Sequence, residues 1–167
     1  MQVDQPQPNG PGLSELPKPN KLPGGRGLEA WHSLLQAHAT LMRRLAMDLE
    51  RETGLALADF DVLAQLSAAG GKLRMTDLAA RALISRSGMT RRVARLVDEG
   101  LVRRGAAGAD RRGVVVALTD AGVARLNETA PVHLRGVSEL FVARLDDQEL
   151  AALKSALDKV SVDCAFG

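Results

Sequence analysis

From Leu28 onward, apolar side chains return every three or four residues: Leu28, Trp31, Leu35, His38, Met42, Leu45 and Leu49. That spacing lays a coiled-coil-like stripe along one face of an α-helix of about six turns. Arg43, Arg44, Glu50 and Arg51 fall mostly off the stripe. The other end of the chain repeats the device with Leu150, Leu153, Leu157, Val160 and Cys164. Two helical stripes therefore bracket whatever lies between them.

The residues before the first stripe are of another kind. Residues 1–27 hold six of the seven prolines and five of the sixteen glycines. Such a segment buries too little apolar area to offset the entropy of ordering, so a mobile arm is expected. Lys18, Lys21 and Arg26 give it some positive charge, but a passive tail is a simpler expectation than a nucleic-acid-binding arm. At 167 residues the chain has room for one ordinary domain. No apolar run approaches the roughly 20 residues of a membrane span, and no secretory leader is recognisable. The single cysteine, Cys164, excludes an internal disulfide framework and points to a reducing compartment, so a cytoplasmic location is expected.

Between the stripes the pattern changes repeatedly. Gly54 ends the first helix, and Leu57, Phe60, Leu63 and Leu66 mark a second, closed by Gly70-Gly71. Lys72 to Met75 reads as a short extended link, and Thr76 as the N-cap of a helix to about Leu83. Ser85 reads as the next N-cap, with a helix to Glu99 and Gly100 as its C′ residue. Two extended runs follow, Leu101 to Arg104 and Val114 to Leu118, with 105–113 as the loop of a hairpin. Thr119 opens a helix to about Leu145, in which Pro131 predicts a kink. Asp146-Asp147-Gln148-Glu149 resembles a capping box opening the last helix. The expected fold is mainly α with a small β-hairpin. Its segments are 28–55, 56–118 and 119–167.

The charge is strongly polarised. Between Arg81 and Arg112 stand nine arginines against three acids, Asp98, Glu99 and Asp110, a net +6 in a chain whose total is +2. On the helix from Ser85 to Glu99, Met89, Val93, Leu96 and Val97 share one side and must face a core. Ser87, Arg91, Ala94 and Arg95 fall opposite. Small residues let a helix approach a groove closely, and arginine forks can grip phosphate or the O6/N7 edge of guanine. Most charged faces are merely solvated. Here, however, a short capped helix precedes this one across a tight turn, as in a helix-turn-helix, and a hairpin with Arg111 and Arg112 at its tip follows.

That succession is Leu78-Ala79-Ala80-Arg81-Ala82-Leu83-Ile84-Ser85-Arg86-Ser87-Gly88-Met89-Thr90-Arg91-Arg92-Val93, then Gly100-Leu101-Val102, Asp110-Arg111-Arg112-Gly113 and Leu118-Thr119-Asp120-Ala121-Gly122. It closely resembles the MarR family of winged helix-turn-helix transcriptional regulators, over roughly residues 28–163. The resemblance implies a recognition helix at 85–99 in the major groove of double-stranded DNA and a wing at 105–113 in the minor groove. It places the wing arginine at Arg112 and its orienting acid at Asp110. Arg111 is expected on phosphate, Ser87 and Arg91 at base edges, and Arg86, Thr90 and Arg95 on the backbone. Arg81, Arg92, Arg103 and Arg104 are left open between contacts and solvated positions. The resemblance further implies a homodimer built from the first and last helices on a pseudo-palindromic operator, with repression as the usual mode. The two apolar stripes support dimerisation on their own account, because they carry more apolar area than a small winged helix can cover.

Many members of that family release DNA when a small phenolic or anionic effector binds between the dimer helices and the winged helix. The expected lining here is Trp31, His38, Met42, Phe60 and Asp61. Trp31 and His38 have dimer packing as the blander alternative, and Asp61 a bond to backbone or to an arginine near the winged helix. No cofactor is expected. No metal is expected either, since His32, His38, His133 and Cys164 share no ligand spacing. No nucleophile–base pair or phosphate loop suggests an enzyme. The alternative to a DNA-binding regulator is a winged-helix protein-interaction module whose basic face meets an acidic partner.

Overall fold

The structure, a computed structural model, describes residues 24–82, 85–107 and 110–165, without the side chains of 106, 107, 110–112 and 162–165. The proposed arm thus lies outside the described residues up to position 23, and so does the Cys164 side chain. Two compact units divide between Ala37 and His38, inside the first helix. That helix, α1, spans Gly25–Thr53 and starts three residues before Leu28. Within the first unit Leu28, Trp31, Leu34 and Leu35 are exposed. The rest of α1 belongs to the second unit, where Leu45 and Leu49 are buried.

The second unit continues with α2 (Leu57–Ala68), β1 (Lys72–Arg74), α3 (Met75–Arg81), α4 (Arg86–Asp98), β2 (Val102–Ala107), β3 (Asp110–Leu118), α5 (Asp120–Leu140), a 3₁₀ turn (Val142–Arg144) and α6 (Asp147–Ala165). The core joins Leu49 of α1 to Val62, Leu63 and Leu66 of α2, Leu78 of α3, the inner face of α4, Val102, Val116 and Leu126. On the helices these side chains recur at spacings of three and four, and β2 and β3 each add one inward valine, so each element contributes one face to a common interior.

The sheet is larger than a hairpin. It has three antiparallel strands in the order β1-β3-β2, with Leu73 opposite Val116 and Val102 opposite Leu118. Two sequence expectations are corrected by it. Thr76 is not an N-cap: pairing with β3 holds 72–74 extended, the helix starts at Met75 directly off the strand, and the Thr76 hydroxyl donates to Asp77 instead. Residues 105–113 are not all loop. The β2–β3 ladder continues to Ala106 opposite Val114, with a register shift before Ala107. Backbone ladders need no apolar side chains, so a small-residue run can extend a sheet that hydrophobic pattern alone would end.

The start of α5 explains the Leu-Thr-x-x-Gly sequence. Thr119 Oγ1 accepts the Gly122 N–H at 3.0 Å and donates to the Gly100 carbonyl at 2.7 Å. One hydroxyl thereby caps α5 and ties it to the end of α4. A Cβ on Gly122 would lie 2.0 Å from the Leu101 carbonyl oxygen, so only glycine allows this approach. Pro131 is accommodated inside α5, while α5 itself ends at Leu140, before the expected Leu145. The expected capping box of α6 is formed: the Asp146 N–H donates to Glu149 at 2.9 Å, and the Glu149 N–H to Asp146 Oδ1 at 2.8 Å.

Candidate nucleic-acid interface

Helix α4 is held at both ends. Ser85 Oγ accepts the Gly88 N–H at 3.2 Å. At the other end Gly100, at φ +72°, turns the chain so that its N–H meets the Val97 carbonyl while that of Leu101 meets Leu96. This is a Schellman closure, which glycine adopts without steric cost. Between the caps Met89, Val93 and Leu96 are fully buried. Arg86, Ser87, Thr90 and Arg91 are exposed. Thr90 Oγ1 is turned back to the Arg86 carbonyl at 2.9 Å, and Ser87 Oγ lies 3.3 Å from Ser85 Oγ. Arg104 of β2 donates to the Thr90 carbonyl at 2.9 Å, bracing the middle of α4 from the sheet. Arg104 thereby supports α4 within the fold.

Arg95 keeps the outward side expected of it, its side chain 52% exposed, and is also tethered to α2. Its guanidinium and that of Arg92 both bond to Asp59 of α2, Arg92 Nη1 to Oδ1 at 2.9 Å and Arg95 Nη2 to Oδ2. Asp59 is only 4% exposed. A carboxylate at that depth must be paired, and α4 supplies two cations one turn apart. The sequence carried a signal for it: Asp59 stands three and four residues before Val62 and Leu63, which places an acid on the apolar face of α2. Among the described residues, the side chains of Arg86 and Arg91 take part in no ion pair. On α4 these are the arginines whose charge no acid among the described residues offsets. For the wing, the backbone of Asp110, Arg111 and Arg112 lies in β3, but their side chains, and with them the expected Asp110–Arg112 pairing, lie outside the described residues.

Behind α2 lies a cavity of about 820 Å³. Met42, Leu45, Leu57, Phe60, Ala82 and Val137 supply apolar wall, and Arg43, Glu50, Asp61 and His133 its polar groups. Met42, Phe60 and Asp61 are thus brought together there. His38 is exposed and not among the lining, and Trp31, in the first unit, is exposed as well. Asp61 accepts weakly from Gln65 at 3.5 Å, so the arginine partnership falls to Asp59 in its place. His133 was missed as a lining residue, since nothing in its local sequence links α5 to α2. Its ring lies 4.6 Å from that of Phe60, and its buried Nδ1 has no hydrogen-bond partner among the described residues. Burial pushes its pKa below the ordinary histidine value, against the opposing pull of the Asp61 carboxylate. Glu52 at the end of α1 pairs with Arg135 of α5. That hydrogen bond holds the Glu52 carboxyl below its usual range and raises Arg135.

Among the described residues no three His, Cys, Asp or Glu side chains gather as a metal site, and no helix is long and apolar enough to cross a membrane. A helix-turn-helix with its outer helix capped, braced from a three-stranded sheet and arginine-bearing on its open face defines a winged-helix protein of the transcription-regulator class. The comparisons agree. The sequence model of the MarR family matches residues 53–113. The transcriptional regulator PecS of Dickeya dadantii is 29% identical over 108 residues, and this chain spans 64% of its length. AbsC, a MarR family regulator of Streptomyces coelicolor, superposes with a TM-score of 0.80 at 28% identity, covering 88% of this chain and 99% of that one. Sco3205, a MarR family regulator of the same organism in complex with DNA, superposes at 0.78 with 32% identity over 84% of this chain and 89% of its own. The chain belongs to the MarR family of transcriptional regulators.

Proposed function

We propose that the protein is a homodimeric, sequence-reading regulator that binds double-stranded DNA, represses, and is released by a small aromatic or anionic effector. The observation that carries this reading is the two-faced α4: fully buried Met89, Val93 and Leu96 on one side, exposed Ser87 and Arg91 on the other. The proposed seat of α4 is the major groove, with Ser87 and Arg91 at base edges and Arg86 and Thr90 along the phosphates. Arg112, oriented by Asp110, enters the adjacent minor groove, and Arg111 meets phosphate. Dimerisation through α1 and α6 is supported by exposed Trp31, Leu35 and Val160, which a lone chain leaves in water. The structure of Sco3205 in complex with DNA supports the DNA partner by relationship. The cavity lined by Met42, Phe60 and Asp61 is of a size that small ligands fill.

The test is enrichment of duplexes from a randomised pool by the purified protein. A pseudo-palindrome with half-sites about one helical turn apart is expected. Recovery of no common sequence would contradict the reading and leave an acidic protein partner as the better account of the basic face.

A further inference from the structure

We propose that Asp59 is a specificity-determining positioning residue, which raises the ratio of operator binding to non-operator binding by clamping two arginines of the recognition helix. This rests on the reading of α4 as the DNA-facing helix. The buried Asp59 carboxylate gives one oxygen to Arg92 and the other to Arg95, residues three apart on the same side of α4. Arg95 Nε also lies 3.8 Å from Glu99, so the four groups sum to zero, and to +1 once the Asp59 charge is removed. The arginines themselves are not sealed away, since their side chains are 25% and 52% exposed. Once released, both could reach phosphates at the rim of the helix.

The consequence differs between the two kinds of DNA complex. Sequence-independent binding is set by how many phosphates the protein neutralises, and each contact adds about 0.9 to the slope of log affinity against log salt. A long arginine that can swing follows phosphates in any register, so it strengthens binding to every sequence. A guanidinium fixed on a buried carboxylate presents its remaining N–H groups in one place only. It matches a phosphate when base contacts from Ser87 and Arg91 have already seated the helix, and mismatches otherwise. Asp59 thus withholds charge from the wrong complexes more than from the right one. A carboxylate kept only to hold α2 on α4 would alter stability and leave the salt dependence unchanged.

The experiment uses the full chain, a duplex enriched by the protein from a randomised pool, and a scrambled duplex of equal length and composition. Affinities are read by fluorescence anisotropy over a salt series. Asp59→Asn is expected to tighten scrambled binding about fivefold and steepen its salt slope by about 0.9, with operator affinity changed less than about twofold. An unchanged slope on the scrambled duplex, or parallel changes on both duplexes, would overturn the proposal. Arg95→Gln serves as the second variant if Asp59→Asn does not fold. Because Arg95 is already withheld from non-operator DNA, its loss is expected to leave the scrambled slope as in the wild type while operator binding weakens. A fall of about 0.9 in the scrambled slope would overturn the proposal. Failure of the wild type to discriminate between the duplexes overturns both this inference and the functional reading. Discrimination by the wild type, with no slope change in Asp59→Asn, overturns this inference alone.

Discussion

The segment from α2 to β3 and the outer parts of the two stripes at the ends of the chain are both patterned with apolar residues, and they meet different fates. In the former, Val62, Leu63, Leu66, Leu78, Met89, Val93, Leu96 and Val116 are removed from water completely within one chain. In the latter, Trp31 remains 54% exposed and Val160 58%. The middle of the chain folds three helices against a sheet, and Leu49 of α1 and Leu126 of α5 complete the core. Along α1 itself, Leu45 and Leu49 in the second unit are buried, while Leu28, Trp31 and Leu35 in the first are exposed. Equal hydrophobic pattern therefore reports two kinds of surface, one buried within the chain and one left exposed, which the proposed dimer would cover.

The sharpest way to break this contrast is to place charge on the exposed stripe. Trp31→Asp combined with Leu35→Asp is expected to cost dimerisation about 4 kcal/mol, as two central contacts of an apolar interface would. Light scattering at micromolar concentration should then report the 17.8 kDa chain instead of twice that mass. A variant that stays dimeric would place the interface elsewhere.

A change at the start of α5, where it meets the α2–β3 segment at Leu101, should act on folding instead. Gly122→Ala puts a methyl group 2.0 Å from the Leu101 carbonyl oxygen, where backbone has to move. The expected loss is about 3 kcal/mol, seen as a thermal midpoint lower by roughly 6–12 °C. A midpoint within a degree or two of the wild type would show that the α5 start is not held as tightly as its geometry requires.

Smaller still is the effect on recognition. Arg112→Ala is expected to weaken operator binding by about 2 kcal/mol, roughly 30-fold, with the fold and the dimer intact. Under the alternative of an acidic protein partner, duplex affinity would be indifferent to this residue.

The least effect comes from His133. Its pKa is depressed in the fold by burial, so the unfolded chain binds the proton more readily. The stability this histidine contributes is present above the ordinary value near 6.5 and is lost as pH falls from there toward the depressed folded value. Denaturant titrations of the wild type and His133→Gln should diverge in that window, with the wild type losing more on acidification. Parallel curves would show that the ring gains no proton-linked penalty in the cavity.

What could be read from the sequence follows the same contrast. Helix α4 was legible because periodicity, the Ser85 cap and the Gly100 stop all agree locally, and the Asp146–Glu149 box was legible for the same reason. Thr76 misled because strand pairing to a segment more than 40 residues away decided where α3 begins. The sheet's length was hidden because Gly105 and Ala106 carry no hydrophobic alternation, although their backbones pair. In the candidate site, the arginines were visible as a cluster, but which of them are tethered to α2 was not. That depends on Asp59, whose partners lie 33 and 36 residues away. His133 joins the cavity through a similarly distant contact with Phe60.

The measurement that bears most directly on the account is the anisotropy of the wild-type protein on an enriched duplex and on its scrambled counterpart across a salt series. Binding to the first at least about a thousandfold tighter, and falling steeply as salt rises, is the expected result for a regulator that reads sequence through α4 and the wing. Equal, weak binding to both duplexes at every salt concentration would contradict it.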